Sequence, residues 1–278
     1  MLARAFAKVN LTLEITGRRP DGYHELVSIM QTIDLADELE LLPEGQLSLE
    51  CDRSELATSD NLVLRAARVL GQTGTFRLRK RIPAAAGLGG GSSDAAAALR
   101  LLDAVYRLGL SAQQLAGAAA EVGSDVTFFL TGGTALVEGR GERVTALLDL
   151  KARWVVLLNP GLPLSTAAVF GELAPAEYGT GGVSRGYVSY LESVTPADLA
   201  AAPPLINNLE AAAERLAPAI VAARRRLREA GAEHILLSGS GPTLFGLAKD
   251  EDQARTLARK AGGLPARFVR REEALRLG

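Results

Sequence analysis

Pro83-Ala84-Ala85-Ala86-Gly87-Leu88-Gly89-Gly90-Gly91-Ser92-Ser93 lies between a strand-like run, Thr75 to Ile82, and an alanine-rich run that starts at Asp94. Four glycines fall within five positions and two hydroxyls follow. Glycine lets backbone N–H groups turn toward a ligand that no Cβ holds off. A helix start adds unpaired N–H donors and the positive end of a dipole. The combination predicts a phosphate cradle. Two familiar cradles fail at named positions. A dinucleotide turn, G-x-G-x-x-G, needs glycine where Ser92 stands, and a Walker loop needs a Gly-Lys pair that this stretch lacks. The plain alternative is a tight strand-to-helix turn that binds nothing.

Upstream, Ala5, Ala7, Val9, Leu11, Leu13 and Ile15 alternate with Lys8, Asn10, Thr12, Glu14 and Thr16. Period two predicts a strand with Lys8, Asn10, Thr12 and Glu14 on one face. Arg18-Arg19-Pro20-Asp21-Gly22 ends it with turn chemistry, and strand-like runs follow near 26–33, 37–42 and 46–51. Asp60 is placed to cap a helix over 61–70, and Ser111 one that Gly123 ends. The cradle helix is expected over 93–108. Downstream the order is clearer. Strand 154–158, helix 207–230 with a break at Pro218, strands 234–237 and 244–247, helix 250–261 and strand 267–270 form a split βαβ, ferredoxin-like series. Residues 171–204 read as a loop-rich excursion with one short helix from Thr195-Pro196.

The chain has 278 residues, with 31 basic and 32 acidic side chains. Such balance leaves no global field for nucleic acid, and no nucleic-acid partner is expected. Arg224, Arg225, Arg226 and Arg228 lie in a helical pattern and read as a solvated face. No apolar run reaches the roughly 18–20 residues that cross a bilayer, so no membrane partner is expected. Cys51 is the single cysteine. With no signal-like start, the expectation is a cytoplasmic protein.

Pro83-x-x-x-Gly87-Leu88-Gly89-Gly90-Gly91-Ser92-Ser93 resembles the phosphate loop of the GHMP kinases. Lys8-Val9-Asn10-Leu11 and Ser238-Gly239-Ser240-Gly241-Pro242-Thr243 are similar to that family's other two motifs, in the same order and at matching separations. Ala7–Leu11, Arg19-Pro20-Asp21-Gly22-Tyr23-His24, Gly87–Asp94, Gly123-Ser124-Asp125-Val126 and Asn159-Pro160-Gly161 narrow the resemblance to members whose substrate carries a cytidine diphosphate group. It implies an α+β fold of two domains. Residues 1–150 would be a mixed ATP-binding domain and residues 151–278 a ferredoxin-like one.

The resemblance also assigns roles. Pro83, Ala84, Ala85, Ala86, Gly87, Leu88, Gly89, Gly90, Gly91, Ser92 and Ser93 would wrap the triphosphate of ATP, beside Gly239, Ser240 and Gly241 of the late glycine motif. Asn61 would line the adenine pocket. Asp125 would be the catalytic base, although Ser-Asp after a glycine is also ordinary N-cap chemistry. Lys8 would polarise the acceptor hydroxyl and keep Asp125 ionised. Its plain reading is a surface charge, yet the chain has only five lysines and uses arginine for other cations. A compact ammonium suits a group that pulls on one atom. Asn10 would bind substrate or position that pair. Tyr23 would stack on cytosine, His24 would bond the base edge, and Phe170 would take the other face or sit in the core. Mg²⁺ would accompany ATP, with Ser93, Asp94 and Asp125 all open as contacts. Asp94 is awkward, since a carboxylate beside phosphate repels it unless a metal intervenes. The alternatives are the same fold acting on another small alcohol, such as homoserine, or a nucleotide-binding module that transfers nothing.

Overall fold

The computed structural model describes residues 1–151, 153–193 and 203–278, so the expected helix start at Thr195-Pro196 lies outside the described residues. In chain order the elements are β1 (Leu2–Arg18), β2 (His24–Leu42), β3 (Ser48–Cys51), α1 (Leu62–Val69), β4 (Thr75–Arg79), α2 (Gly90–Tyr106), α3 (Ala112–Val122), α4 (Val126–Thr131), β5 (Thr134–Gly139), β6 (Arg143–Ala146) and β7 (Trp154–Leu158). They continue with α5 (Thr166–Glu172), α6 (Gly182–Ser193), β8 (Ile206–Asn207), α7 (Glu210–Leu216), α8 (Pro218–Ala230), β9 (Glu233–Leu237), β10 (Leu244–Ala248), α9 (Glu251–Ala261), β11 (Leu264–Arg267) and α10 (Arg271–Ala274).

The first sheet runs β3-β4-β2-β1-β8, and β5 with β6 extends from the other half of β2. The runs expected near 26–33 and 37–42 are one strand, β2, which changes register opposite Phe6/Ala7. The second sheet runs β11-β7-β10-β9 with antiparallel neighbours throughout, the ferredoxin-like order. β7 shows why it lies inside the molecule. Val155 and Leu157 join Val9, Leu11 and Ile33 of the first sheet in one core. Val156 and Leu158 face the other way and join Leu209, Ile220 and Leu257 under α7, α8 and α9.

The alternation of β1 does not run unbroken. Register shifts fall between Phe6 and Ala7 and between Asn10 and Thr12. A bulge puts two residues against one and turns the following side chains over. Ala3 and Ala5 therefore share a core with Leu13 and Ile15, whereas Ala7, Val9 and Leu11 belong to the opposite one. Lys8 and Asn10 stay together as expected. Thr12 and Glu14 do not join them and point instead at α6. There Thr12 Oγ1 shares a 2.7 Å hydrogen bond with Ser184 Oγ, and the Glu14 carboxylate accepts from Gly181 N, Ser184 N and Ser184 Oγ at 2.8–3.0 Å.

This contact explains α6, where a loop was expected. Gly182, Gly186 and two valines make a weak helix former. The carboxylate of a distant strand supplies the cap, and Ser184, Tyr187 and Leu191 supply a buried stripe. Glu14→Ala would leave the Gly181 and Ser184 N–H groups without an acceptor, while Ser184 Oγ keeps Val27 O. The expected cost is about 3 kcal/mol, read as a lower midpoint in denaturant unfolding, with Glu14→Gln losing less.

Other departures have local causes. Asn61, not Asp60, caps α1, its Oδ1 accepting from Val63 N at 2.9 Å. α2 begins at Gly90, three residues early, and takes two glycines into its first turn, of which Gly90 is the closely packed one. A Cβ on Gly90 would stand 3.0 Å from Ile82 Cγ2. Residues 207–230 split at Ala217, and Pro218 opens α8, where a missing N–H costs nothing. β11 lies three residues before the expected strand because Pro265 is tolerated on an edge strand. Phe268 and Val269 then bond back to the first sheet at Ile33 and Thr32. Among the described residues no helix is long and apolar enough to cross a membrane.

Candidate active site

One cavity of about 1210 Å³ collects most of the residues singled out in the sequence. Lys8, Asn10, Tyr23, His24, Asn61, Pro83 to Gly87, Gly89, Gly90, Gly91, Ser92, Asp125, Phe170, Gly239 and Ser240 line it. Leu88, Ser93 and Gly241 do not. Leu88 is a core side chain whose carbonyl accepts from Lys8 N at 3.0 Å. Ser93 is turned away from the ligand side. Its hydroxyl donates to Phe6 O at 2.7 Å and its N–H to Gly89 O at 2.9 Å, so it offers no donor to phosphate. Gly241 N bonds Ser238 O behind the loop.

The cradle is fixed from both sheets. Gly87 has φ +75°, and a Cβ there would stand 2.1 Å from Ser238 O. Gly89, the N-cap of α2, has φ +72°, and its Cβ would meet the Phe129 ring at 2.6 Å. Both positions need glycine for conformation and for space. Ser238 Oγ donates to Gly87 O at 2.9 Å, and Asn207 Nδ2 holds Leu237 O and Gly239 O at 2.8 Å each. Beyond Gly89 the first-turn N–H groups of α2 lack intrahelical acceptors, and an anion can take them.

Lys8 is 3% exposed. Its ammonium donates to Asn10 Oδ1 at 2.6 Å and to Gly87 O at 2.8 Å. Asn10 Nδ2 donates in turn to Ser28 Oγ, and Ser28 Oγ to Thr12 O. Asn10 thus positions the lysine. Burial lowers the Lys8 pKa from its ordinary value, while the Asp125 carboxylate, acting through space, raises it. Asp125 occupies the N-cap position of α4, yet its side chain makes no capping bond. The ordinary structural use of that carboxylate is therefore not made here. It faces the cavity with Gly141 close behind it, where a Cβ would come within 3.1 Å of Oδ1.

Asp94 has a partner that its position in the motif does not reveal. Lys80 Nζ bonds Asp94 Oδ2 at 2.6 Å and also Asp37. Burial, with Asp37 on the same lysine, pushes the Asp94 carboxyl up to about 8 against the pull of Lys80. The cluster carries less negative charge toward a phosphate than Asp94 alone would. Lys80 lines the cavity beside Gly90, although no motif falls on it. The signal was available, because the rarity of lysine that marks Lys8 marks Lys80 as well.

At the aromatic corner, Phe170 packs on the His24 ring with centroids 5.1 Å apart, and Tyr178 meets it edge-on at 6.1 Å. Phe170 thus buttresses the imidazole. Tyr178, on which no motif falls, completes the corner. Burial and the neighbouring Arg18 hold His24 below its ordinary pKa, which favours a neutral ring with one donor and one acceptor. Tyr23 is 54% exposed and has the Arg140 guanidinium 5.1 Å from its ring centre. Asn61 lines the wall with its amide already bonded to Leu56 O and Val63 N.

Comparison with known proteins follows the same lines. The family models of the GHMP kinases N terminal domain and the GHMP kinases C terminal region match residues 61–133 and 195–263. A 4-diphosphocytidyl-2-C-methyl-D-erythritol kinase of Pelotomaculum thermopropionicum is 42% identical over 280 residues, spanning 98% of this chain and 94% of that protein. A crystal structure of 4-(cytidine 5'-diphospho)-2C-methyl-D-erythritol kinase superposes with TM-score 0.81 at 36% identity, covering 96% of this chain and 99% of that one. A homoserine kinase structure from Cytophaga hutchinsonii, 18% identical with TM-score 0.69 over 97% and 96% of the two chains, shares the fold. With identity of that extent along nearly its whole length, and both models matched in order, this chain belongs to the GHMP kinase family.

Proposed function

We propose that the protein transfers the γ-phosphoryl group of ATP to the 2-hydroxyl of 4-diphosphocytidyl-2-C-methyl-D-erythritol, a step of the non-mevalonate route to isoprenoid precursors. The observation that carries this reading is that a single cavity joins the glycine cradle, the Lys8–Asp125 pair and the Tyr23–His24 corner.

The chemistry is positioning plus electrostatics, without a phosphoenzyme. The cradle N–H groups and the start of α2 hold the triphosphate. Asp125 takes the hydroxyl proton as the new P–O bond forms and that proton becomes acidic. Lys8, fixed by Asn10 and Gly87, draws electron density from the same oxygen. A Mg²⁺ accompanying ATP would be held chiefly by phosphate oxygens. Ser92 is the loop hydroxyl on the wall that would meet it. When bound, the ion would offset the charge of those oxygens.

The direct test follows ADP release from ATP, Mg²⁺ and the cytidylated alcohol. Turnover is expected with this acceptor and not with homoserine. His24→Ala is expected to raise the acceptor KM about tenfold, the worth of one edge hydrogen bond, with the ATP KM unchanged. Equal losses for both substrates would return His24 to a structural role. ATP binding without turnover on any alcohol would favour the non-catalytic module.

A further inference from the structure

We infer that Arg140 grips the diphosphate of the cytidine-bearing substrate. This rests on the proposed function, since it concerns the same acceptor site. Arg140 stands in the turn between β5 and β6 and lines the cavity. On one side its guanidinium lies over the Tyr23 ring, where the base is to stack. On the other, its neighbour Gly141 backs Asp125, where the hydroxyl is to react. The substrate has the same order: base, then diphosphate, then polyol. A group placed between the Tyr23 and Asp125 positions meets the middle portion.

The guanidinium is also free to do so. Its nearest carboxylate is Glu142, with Nε 3.9 Å from Oε2, beyond hydrogen-bond distance. Glu142 is turned to the backbone and accepts Arg140 N–H at 2.7 Å. Among the described residues the Arg140 side chain makes no hydrogen bond. Its charge does reach the site mouth, where it helps hold Asp21 below its ordinary value after the Tyr23 N–H and Arg19 bonds. A planar fork of donors beside an aromatic face, with no protein acceptor of its own, suits paired phosphate oxygens.

The test compares CDP with cytidine by calorimetry, in the wild type and in Arg140→Gln, with thermal melts to check folding. The wild type should bind CDP more tightly than cytidine. Arg140→Gln should lose at least about tenfold in CDP affinity, as expected for a charge-assisted pair, while cytidine affinity stays within about twofold. Arg140→Lys should fall between, and it carries the test if the glutamine variant does not fold. Parallel loss of both ligands would make Arg140 a cover for Tyr23 only and overturn the inference. So would unchanged CDP affinity. A wild type that binds neither ligand would overturn the cytidine site itself, and the clamp with it.

Discussion

Asp125→Asn is expected to lower kcat by about 10²–10⁴, the usual worth of a positioned general base, while both KM values and Tm stay near those of the wild type. The separation follows from geometry. The Asp125 carboxylate caps nothing, so asparagine leaves no helix donor unpaired. Lys8 is a poorer first choice for substitution. Removing its ammonium orphans Asn10 Oδ1 in a buried site and leaves Gly87 O with Ser238 Oγ alone, so lost activity would be mixed with lost stability. Steady-state kinetics together with a thermal melt make the check. A kcat within threefold of the wild type would remove Asp125 from the role of base.

Gly87→Ala is expected to be the most damaging single-methyl change in the cradle. The added carbon would sit 2.1 Å from a backbone oxygen, at φ +75°. Ser238 cannot swing aside as a flexible side-chain tip would. The 238–241 turn must move, and the bonds from Lys8 and Ser238 to Gly87 O move with it. A loss of about 3 kcal/mol or more is expected, with kcat/KM for ATP down by at least about a hundredfold (~3 kcal/mol at tenfold per 1.36 kcal/mol). Gly91→Ala is the control, because its Cβ would meet only Leu62 Cδ1 at 3.8 Å. Comparable unfolding midpoints for the two variants would disprove the clash.

Much of this molecule is legible in its sequence where a local signal and a tertiary demand coincide. Ser111 and Gly123 bound α3, with a capping box to Gln114 that needs only nearby residues. β7 and α9 fall where an apolar run and an Asp250 cap place them. Lys8, Asp125, Tyr23 and His24 converge on one cavity from distant points because the motifs that carry them are specific as a set. The misses share a cause. Period two cannot announce a bulge, so it puts Thr12 and Glu14 on the wrong face of β1. Glycine and valine cannot announce a helix whose cap comes from Glu14, far away in sequence. Ser93 looks like a second phosphate ligand, but its hydroxyl already donates to the Phe6 carbonyl. Each depends on a partner that the local string does not contain.

Two lysines line the cavity, and they differ in what surrounds the charge. Lys80 is matched by two carboxylates, so that cluster projects little positive potential. Lys8 is tethered by an amide oxygen and a peptide oxygen, both uncharged. Its ammonium is fixed in place with no counter-ion bonded to it. The cavity's positive charge without a bonded counter-ion therefore stands at Lys8, with Asp125 acting on it only through space, rather than at Lys80 beside α2. In the proposed reaction, negative charge that accumulates during phosphoryl transfer would be drawn toward Lys8, and the neutral acceptors would not need to reorient to receive it.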